Sequence, residues 1–275
     1  MASDRHGGGV TGRGAQTLRW PRYEDARTAV VRDVLRDVVA ALIAETCRSN
    51  LDIIDAGGGT GGFAVPLAGL GHTVTVIDPS PDSLAAAQRR AAEMSVPLRA
   101  VQGDVSDLAG LVGEQGADLV LCHSVLEYVD SPAAALAAVA DVLRPGGAVS
   151  VLTASAVAAV LHRALAGRFD EARRLLAEVS PGSAGHGEPA GHLSGRSGTG
   201  APRRFTLADV VGLVEGAGLR AGAAHGVRVF ADLVPGVFAD ADPGAADALL
   251  ALERAASTHP AFHDIAAHFH VLGYR

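Results

Sequence analysis

The stretch Leu51-Asp-Ile-Ile-Asp-Ala-Gly-Gly-Gly-Thr-Gly-Gly62 decides how this chain folds. Its first residues are rich in large aliphatic side chains, which is typical of a buried parallel strand. The strand runs directly into a glycine-rich turn, and a helical segment begins near Phe63. Glycine suits such a turn because it accepts backbone conformations that other residues avoid and lets the backbone approach a ligand closely. The stretch therefore predicts a strand, turn and helix with a binding site at the turn.

Two cofactors are compatible with this turn. Three of its glycines have the G-x-G-x-x-G spacing of dinucleotide-binding proteins, namely Gly57, Gly59 and Gly62. The finer pattern is acid-x-G-x-G-x-G, which begins at Asp55 and ends at Gly61. This pattern resembles motif I of the class I S-adenosylmethionine methyltransferases. A carboxylate at the turn suits a sulfonium and an ammonium group and would repel a pyrophosphate, so we favour S-adenosylmethionine over a nicotinamide dinucleotide.

Strand and helix patterns alternate after the turn, which predicts a parallel sheet with right-handed crossovers. The first five strands are predicted at 51–55, 73–78, 98–102, 117–122 and 147–153. A helix over 25–47 precedes them, and helices at 61–70, 82–94, 106–114 and 132–143 connect them. The later elements are predicted as helices at 155–166, 169–179, 205–219 and 244–257 and as strands at 224–230 and 268–274. Thr206 is the predicted N-cap of the helix at 205–219. The fold class is therefore α/β, a Rossmann-like, seven-stranded, mostly parallel sheet with helices on both faces.

Ligands of such sheets bind at the carboxyl ends of the strands, so the residues at those ends are the candidate site. Asp78 ends the second strand and can accept both ribose hydroxyls of a nucleoside. Asp104 and Val105 follow the third strand and can contact an adenine ring, although Asp104 can equally be a helix N-cap. His123 ends the fourth strand and is a candidate ligand contact.

Composition and charge limit the alternatives. The chain has 275 residues and a net charge of -7, and all 23 of its basic residues are Arg. Residues 155–204 carry seven Arg and four acidic residues, a net charge of +3, so a local site for a polyanion remains possible.

The two Cys indicate a reducing compartment, and we expect no metal site. Residues 1–16 are glycine-rich and predicted to be a disordered tail without the apolar core of a signal peptide, and no apolar run has transmembrane length. A cytoplasmic protein is expected, with one domain over 17–275 and an insertion at 155–204 that ends in a Gly/Ser-rich loop.

Further motifs carry a resemblance to a known family. Leu143-Arg-Pro-Gly-Gly147 resembles the turn before strand five of class I methyltransferases, and with the glycine motif it places the chain in that superfamily. Three segments are similar to the bacterial tRNA 5-carboxymethoxyuridine methyltransferases: Arg27-Thr-Ala-Val-Val, His123-Ser-Val-Leu-Glu-Tyr and Gly226-Val-Arg-Val-Phe. The resemblance spans about residues 25–273. It implies that Arg27 pairs with the carboxylate of S-adenosylmethionine. The other cofactor contacts that it implies are Gly57, Gly58, Asp78, Asp104, Val105 and His123; Asp55 and Gly59 belong to the same turn.

The resemblance implies methylation of the carboxylate of a modified wobble uridine. A carboxylate is ionised at pH 7, so the reaction needs no general base, and Arg side chains suit the task of orienting it. The candidates for this role are Arg203, Arg204 and Arg228. Tyr128 is a candidate for stacking on a base. If the acceptor were a hydroxyl or an amine, His123 would be a candidate base.

Two alternatives to a tRNA substrate remain open. The chain departs from the family where substrate would bind, because a Gly/Ser-rich loop replaces a basic stretch before residue 205 and Trp20-Pro-Arg-Tyr-Glu-Asp replaces an aromatic-Gly-Lys lead-in. These differences and the acidic net charge favour a small-molecule O- or N-methyltransferase. A non-catalytic protein that binds S-adenosylmethionine is the third hypothesis.

Overall fold

The computed structural model describes residues 22–179, 202–235 and 243–275. The strands are β1 (Asp52–Ala56), β2 (Thr73–Asp78), β3 (Arg99–Gln102), β4 (Ala117–His123), β5 (Leu143–Ala154), β6 (Arg220–Val227) and β7 (His268–Tyr274). The helices are α1 (Arg22–Thr46), α2 (Ala64–Gly69), α3 (Pro81–Glu93), α4 (Leu108–Val112), α5 (Pro132–Val142), α6 (Ala156–Leu165), α7 (Phe169–Glu178), α8 (Leu207–Gly216), α9 (Pro243–Ser257) and α10 (Pro260–His263). Most predicted elements are present at nearly their predicted positions.

The strands form one seven-stranded sheet in the order β3-β2-β1-β4-β5-β7-β6. Strands β1 to β5 pair in parallel, and β7 runs antiparallel to both β5 and β6. Helices cover both faces, with α1, α2 and α3 packing in one apolar cluster and α5 and α8 in the other. The predicted fold class is confirmed.

Side-chain hydrogen bonds cap the N-termini of several helices. Ser80, Ser131 and Ser155 each accept a backbone N–H of the first turn of α3, α5 and α6. Thr206 and Asp209 form a reciprocal capping box at the start of α8, which satisfies donors that the helix itself leaves unpaired. The predicted N-cap at Thr206 is therefore confirmed.

Three predicted boundaries are wrong. The strand predicted at 224–230 begins at Arg220 and ends at Val227, because Arg228 has a left-handed backbone (φ 60°) that cannot continue a strand. The strand predicted at 147–153 begins at Leu143, since the turn before it already pairs with β4. The helix predicted at 106–114 is a 3-10 turn (Val105–Asp107) followed by the short α4.

Two predictions lie outside the described residues, namely the tail over 1–16 and the Gly/Ser-rich loop over 180–201. Within the three described ranges, no helix is both long enough and apolar enough to cross a membrane. The same ranges contain no group of three or more His, Cys, Asp or Glu side chains arranged to hold a metal ion.

Candidate cofactor and acceptor site

The glycine turn after β1 is packed tightly on one side and open on the other. Gly57 donates its N–H to the Ile77 carbonyl at 2.7 Å, and a Cβ on Gly57 would lie 2.3 Å from Val125 Cγ2. A Cβ on Gly58 would lie 2.5 Å from Asp55 Cγ. A Cβ on Gly59, where φ is +53°, would meet nothing within 4 Å. Contacts within the protein therefore require glycine at 57 and 58, whereas the backbone at 59 faces open space in which a ligand can lie.

Asp55 lies beneath this turn with its side chain almost wholly buried. The pKa of the Asp55 carboxyl is raised to about 7, chiefly by burial and also by the nearby Asp78 carboxylate, against the opposing effect of a hydrogen bond from the Ala64 N–H. The carboxyl therefore holds its proton near neutral pH more readily than an ordinary Asp. A cationic ligand beside it would favour the ionised form, which fits the sulfonium and ammonium groups of S-adenosylmethionine.

Asp78 is held in place by the backbone of two turns. Its Oδ2 accepts the Gly59 N–H at 2.9 Å and its Oδ1 accepts the Ser80 N–H at 2.8 Å. Each oxygen has a further lone pair, so the carboxylate remains able to accept two ribose hydroxyls. The two N–H donors fix the carboxylate beside the glycine turn, as a nucleoside site requires.

Asp104 is a cap of the 3-10 turn, as one of its two predicted roles required. Its Oδ1 accepts the Ser106 N–H at 2.9 Å and the Ser106 hydroxyl at 2.7 Å. Both bonds use the same oxygen, which leaves Oδ2 for an adenine amino group. The neighbouring Val105 side chain is buried in the core beneath.

His123 ends β4 with its ring packed edge-on against Phe63 at a centroid distance of 4.9 Å. Its Nε2 lies 2.7 Å from the Ser150 hydroxyl, and its Nδ1 is buried without a hydrogen-bond partner. Burial lowers the pKa of His123 to about 3. The ring is therefore neutral at pH 7 and a poor general base.

Arg27 and Arg228 meet at a carboxylate that sequence reasoning missed. Arg228 Nη2 donates to Asp232 Oδ1 at 2.6 Å, and Arg27 Nη2 lies 3.7 Å from the same oxygen. The Arg27 side chain is 56% exposed and so remains open to a ligand, while that of Asp232 is 14% exposed. No spacing signal in the sequence marks Asp232, because the contact depends on how α1 packs against the segment after β6.

Glu253 is a second acidic residue whose role the sequence does not reveal. Its fully buried carboxylate accepts the N–H groups of Val229, Phe230 and Ala231 at 2.9, 2.8 and 2.6 Å. These are the three residues after Arg228. The carboxylate thus holds the segment that presents the Arg228 guanidinium.

The three arginines proposed to orient an acceptor are in different environments. Arg203 donates to the carbonyl oxygens of Val129 and Asp130, so its guanidinium joins two segments of the chain. Arg204 is exposed. Arg228 lies at the same end of the sheet as Arg204, because Phe205 bonds to Ala154 and both Ala154 and Val227 pair with His268.

His268 lies at the centre of this positive region. It pairs with Ala154 at the carboxyl end of β5 and with Val227 at the end of β6. The pKa of His268 is lowered to about 4, chiefly by burial and also by the charges of Arg228 and Arg204, while Asp232 opposes this shift. Its Nδ1 is buried without a hydrogen-bond partner. Sequence analysis did not select His268, whose contacts form only when β5, β6 and β7 pair.

These residues lie close together at the carboxyl ends of the strands. Asp55, Asp78 and His123 lie at or next to the last residues of β1, β2 and β4, and Asp104 follows β3. His268 lies beside them, paired with the last residue of β5. The donor and acceptor groups fit a nucleoside with a cationic methionine end, and beside it an anionic acceptor.

Residues 54–151 match a family model described as a methyltransferase domain. This segment is thus similar to a methyltransferase domain, and the sheet is of the class I methyltransferase type, which agrees with the predicted class and with S-adenosylmethionine as the predicted cofactor. Two solved structures show the same fold. The magnesium protoporphyrin IX methyltransferase of Synechocystis PCC 6803 with bound SAH superposes with a TM-score of 0.54 at 16% identity, over 94% of this chain and 89% of that one. A methyltransferase from Listeria monocytogenes superposes with a TM-score of 0.55 at 15% identity, over 92% and 99%.

Curated relatives point to two different substrates. The tRNA 5-carboxymethoxyuridine methyltransferase of Escherichia coli (strain K12) is 34% identical over 131 residues, which are 47% of this chain and 50% of that protein. The ubiquinone biosynthesis O-methyltransferase of Methylobacterium nodulans is 38% identical over 132 residues, 46% of this chain and 50% of that protein. The matches thus span about half the length of the curated relatives.

Proposed function

We propose that the protein transfers the methyl group of S-adenosylmethionine to a carboxylate, and that this carboxylate belongs to 5-carboxymethoxyuridine at the wobble position of tRNA. The observation that carries the proposal is the positive region at the end of β5. Arg204 precedes Phe205, whose N–H bonds to the Ala154 carbonyl at the end of β5, and Arg228 follows Val227, which pairs with His268 beside that end. Guanidinium groups recognise carboxylates through charge-assisted, often paired hydrogen bonds.

The cofactor supplies an electrophilic methyl group on its sulfonium. The protein's part is to bind it through Asp55, Asp78, Asp104 and Arg27 and to hold the acceptor in line with the methyl group. Alignment of this kind can contribute about 7–11 kcal/mol to lowering a barrier. A carboxylate acceptor fits the low basicity of His123, because an acceptor that is already ionised requires no base.

Two features favour tRNA as the carrier of the carboxylate. One is the similarity to the E. coli tRNA methyltransferase over half the chain. The other is Tyr128, which follows the end of β4 and is 70% exposed. An exposed aromatic ring next to a nucleotide site offers a surface on which an extruded base can stack.

A small-molecule acceptor is the second candidate. It is favoured by the ubiquinone O-methyltransferase relatives and by an apolar groove of about 300 Å³. The groove lies between α6, α7 and α10, and its lining is Val157, Val160, Leu161, Ala164, Leu176, Val179 and Ile265. An acceptor with an apolar body would fit this groove.

The test is nucleoside mass spectrometry of tRNA from cells that lack this protein, before and after incubation with the purified protein and S-adenosylmethionine. We expect 5-carboxymethoxyuridine to gain one methyl group. Unchanged tRNA nucleosides, with S-adenosylmethionine still bound, would contradict the tRNA substrate and leave the small-molecule acceptor.

The arginines are tested in the same assay. Arg228→Ala is expected to raise the KM for tRNA about 10- to 100-fold, because one charge-assisted interaction with the carboxylate is lost. Arg99→Ala is the matched control, since Arg99 is an exposed arginine at the start of β3, at the opposite edge of the sheet. Equal effects of the two substitutions would show that Arg228 contributes only general positive charge.

A further inference from the structure

The loop between β4 and α5, residues 124–131, carries the exposed ring of Tyr128. The inner part of this loop is fixed by burial, since Leu126 and Glu127 are 0% and 5% exposed. The outer part, residues 128–130, lies at the surface without regular secondary structure, although the Tyr128 N–H donates to the Val125 carbonyl at 2.9 Å. Surface segments with few buried contacts open easily, so a ring in a fixed position there requires further contacts.

Arg203 supplies such contacts from a segment more than 70 residues later in the chain. Its backbone N–H donates to the Glu127 carbonyl at 3.0 Å. Its guanidinium donates to the carbonyl of Val129 and, at 2.9 Å, to that of Asp130. The planar fork of a guanidinium can bond to two neighbouring carbonyls at once. Arg203 therefore holds the chain on both sides of Tyr128.

The same hydrogen bonds separate the function of Arg203 from that of Arg204. Two of the three nitrogens of the Arg203 guanidinium, Nη1 and Nη2, donate to protein carbonyls, and the third, Nε, is buried. The guanidinium is thus engaged with the protein. Arg204 is exposed and remains available to an acceptor carboxylate.

The segment that carries both arginines is anchored independently of the Arg203 side chain. The next residue, Phe205, is fully buried. Its N–H donates to the Ala154 carbonyl at 3.0 Å, and its carbonyl accepts the Ala156 N–H at 2.9 Å, which fixes it to the end of β5. Loss of the Arg203 guanidinium should therefore release the loop and leave Arg204 in place.

We propose that Arg203 is a positioning residue that fixes the Tyr128 ring at the acceptor site and does not itself bind the acceptor carboxylate. A ring that is already fixed loses less conformational freedom when a base stacks on it, so the base binds more tightly. The stacking of the acceptor on Tyr128 rests on the proposed function. The hold of Arg203 on the loop is a property of the free protein.

Amide hydrogen exchange of the free protein labelled with ¹⁵N-tyrosine measures this hold. The Tyr128 signal is identified by its loss in Tyr128→Phe. In Arg203→Ala we expect the Tyr128 amide to exchange about 10- to 100-fold faster, because two hydrogen bonds to the loop are lost. The amide of Tyr274, in β7, should exchange as in the wild type. An unchanged rate at Tyr128 would overturn the proposal whatever the activity of the protein.

Arg275→Ala is the matched control for this measurement. Arg275 Nη1 also donates to backbone carbonyls, namely those of Ala140, Asp141 and Leu143 at the amino end of β5. Its removal should leave the exchange of the Tyr128 amide unchanged, and an acceleration as large as in Arg203→Ala would contradict a specific role of Arg203. Arg203→Lys keeps the charge but not the planar fork, so we expect a rate between those of the wild type and Arg203→Ala.

Kinetics with tRNA separate positioning from direct contact. We expect Arg203→Ala and Tyr128→Ala each to raise the KM for tRNA about 5- to 50-fold, while kcat and the Kd of S-adenosylhomocysteine stay unchanged. In the double variant the KM should rise no further than in Tyr128→Ala, because Arg203 acts through Tyr128.

Two kinetic results would overturn the proposal. Effects on KM that multiply in the double variant would show that Arg203 contacts the acceptor itself. An unchanged KM in Tyr128→Ala would show that the ring is not part of the acceptor site. A wild-type protein that binds S-adenosylhomocysteine but leaves tRNA unmodified contradicts the proposed substrate, and the exchange rate of the Tyr128 amide then still tests the hold of Arg203 on the loop.

Discussion

A single buried carboxyl, that of Asp55, illustrates how the site is tuned residue by residue. It lies near the end of the buried strand β1, next to Asp78 and beneath the glycine turn. In the free protein its ionised form is disfavoured by burial and by the neighbouring charge. A cationic cofactor reverses this preference. The residue therefore makes cofactor binding dependent on pH, and it lowers the stability of the free protein when it ionises.

We expect Asp55→Asn to change stability and binding in opposite directions. The folded-state pKa of about 7 lies above the unfolded value of 3.8, so the stability that Asp55 contributes is present below pH 3.8 and is lost as pH rises through 7. Free Asp55→Asn should therefore melt higher than the wild type at pH 8, by more than it does at pH 5. Thermal unfolding at the two pH values measures this.

The same variant should bind S-adenosylmethionine at least about tenfold more weakly at pH 8, because the charge–charge attraction is lost. Calorimetry should also show wild-type affinity increasing between pH 6 and pH 8, as the carboxyl ionises more readily. A wild-type affinity that is constant over this range would show that Asp55 does not contact the cation.

The segment after β6, residues 228–231, has no regular secondary structure but is held in place by hydrogen bonds. Arg228 has a left-handed backbone, which is strained for a residue with a side chain. The next three N–H groups all bond to the buried Glu253 carboxylate on α9, which keeps the segment in this conformation. A helix distant in sequence thus aims the Arg228 guanidinium.

We expect Glu253→Gln to destabilise the protein by about 1.5–3 kcal/mol and to raise the KM for the acceptor. The amide has one acceptor oxygen, so its NH2 group must face a backbone N–H that the carboxylate had paired. Urea unfolding and steady-state kinetics measure the two effects. Glu215→Gln, at an exposed position of α8, is the control and should change neither. A stable Glu253→Gln variant with an unchanged KM would show that the segment does not depend on Glu253.

At the scale of the whole molecule, the two ends of the strands have different functions. The carboxyl ends of the strands bear the candidate site, whereas ion pairs connect the amino ends of β1 and β4 to neighbouring segments. There, Asp118 accepts Arg48 and Arg144 at 2.9 Å and the Asp52 N–H at 2.7 Å. Burial alone would raise the pKa of Asp52, but hydrogen bonds from Arg48 and Arg144 outweigh it and lower the pKa. Asp52 therefore contributes stability above its unfolded pKa that is lost in acid.

We expect Asp118→Asn to lower the free energy of unfolding by about 1–3 kcal/mol without changing the affinity for S-adenosylhomocysteine. The variant removes the charge of one of the two carboxylates that Arg48 and Arg144 share, and the partial exposure of both arginines to water limits the cost. Urea unfolding and calorimetry on the same sample measure both quantities. A loss of binding free energy as large as the loss of unfolding free energy would show that the ion pairs at the amino ends of the strands affect the site at their carboxyl ends.

The sequence by itself determined the features that depend on neighbouring residues. The alternation of strands and helices, the glycine turn, the serine and threonine caps and the acids at the strand ends are all local, because a few successive residues set each of them. The sequence therefore places Asp55, Asp78 and His123 at the carboxyl ends of parallel strands.

Only the tertiary structure decided which distant side chains meet. Arg203 bonds to carbonyl groups more than 70 residues earlier in the chain, and Ser150 joins histidines on β4 and β7. The buried environment that sets the pKa values of Asp55, His123 and His268 arises from the same packing. Periodicity and propensity carry no information about such contacts, because these depend on strand order and on which side chains the folded chain removes from water.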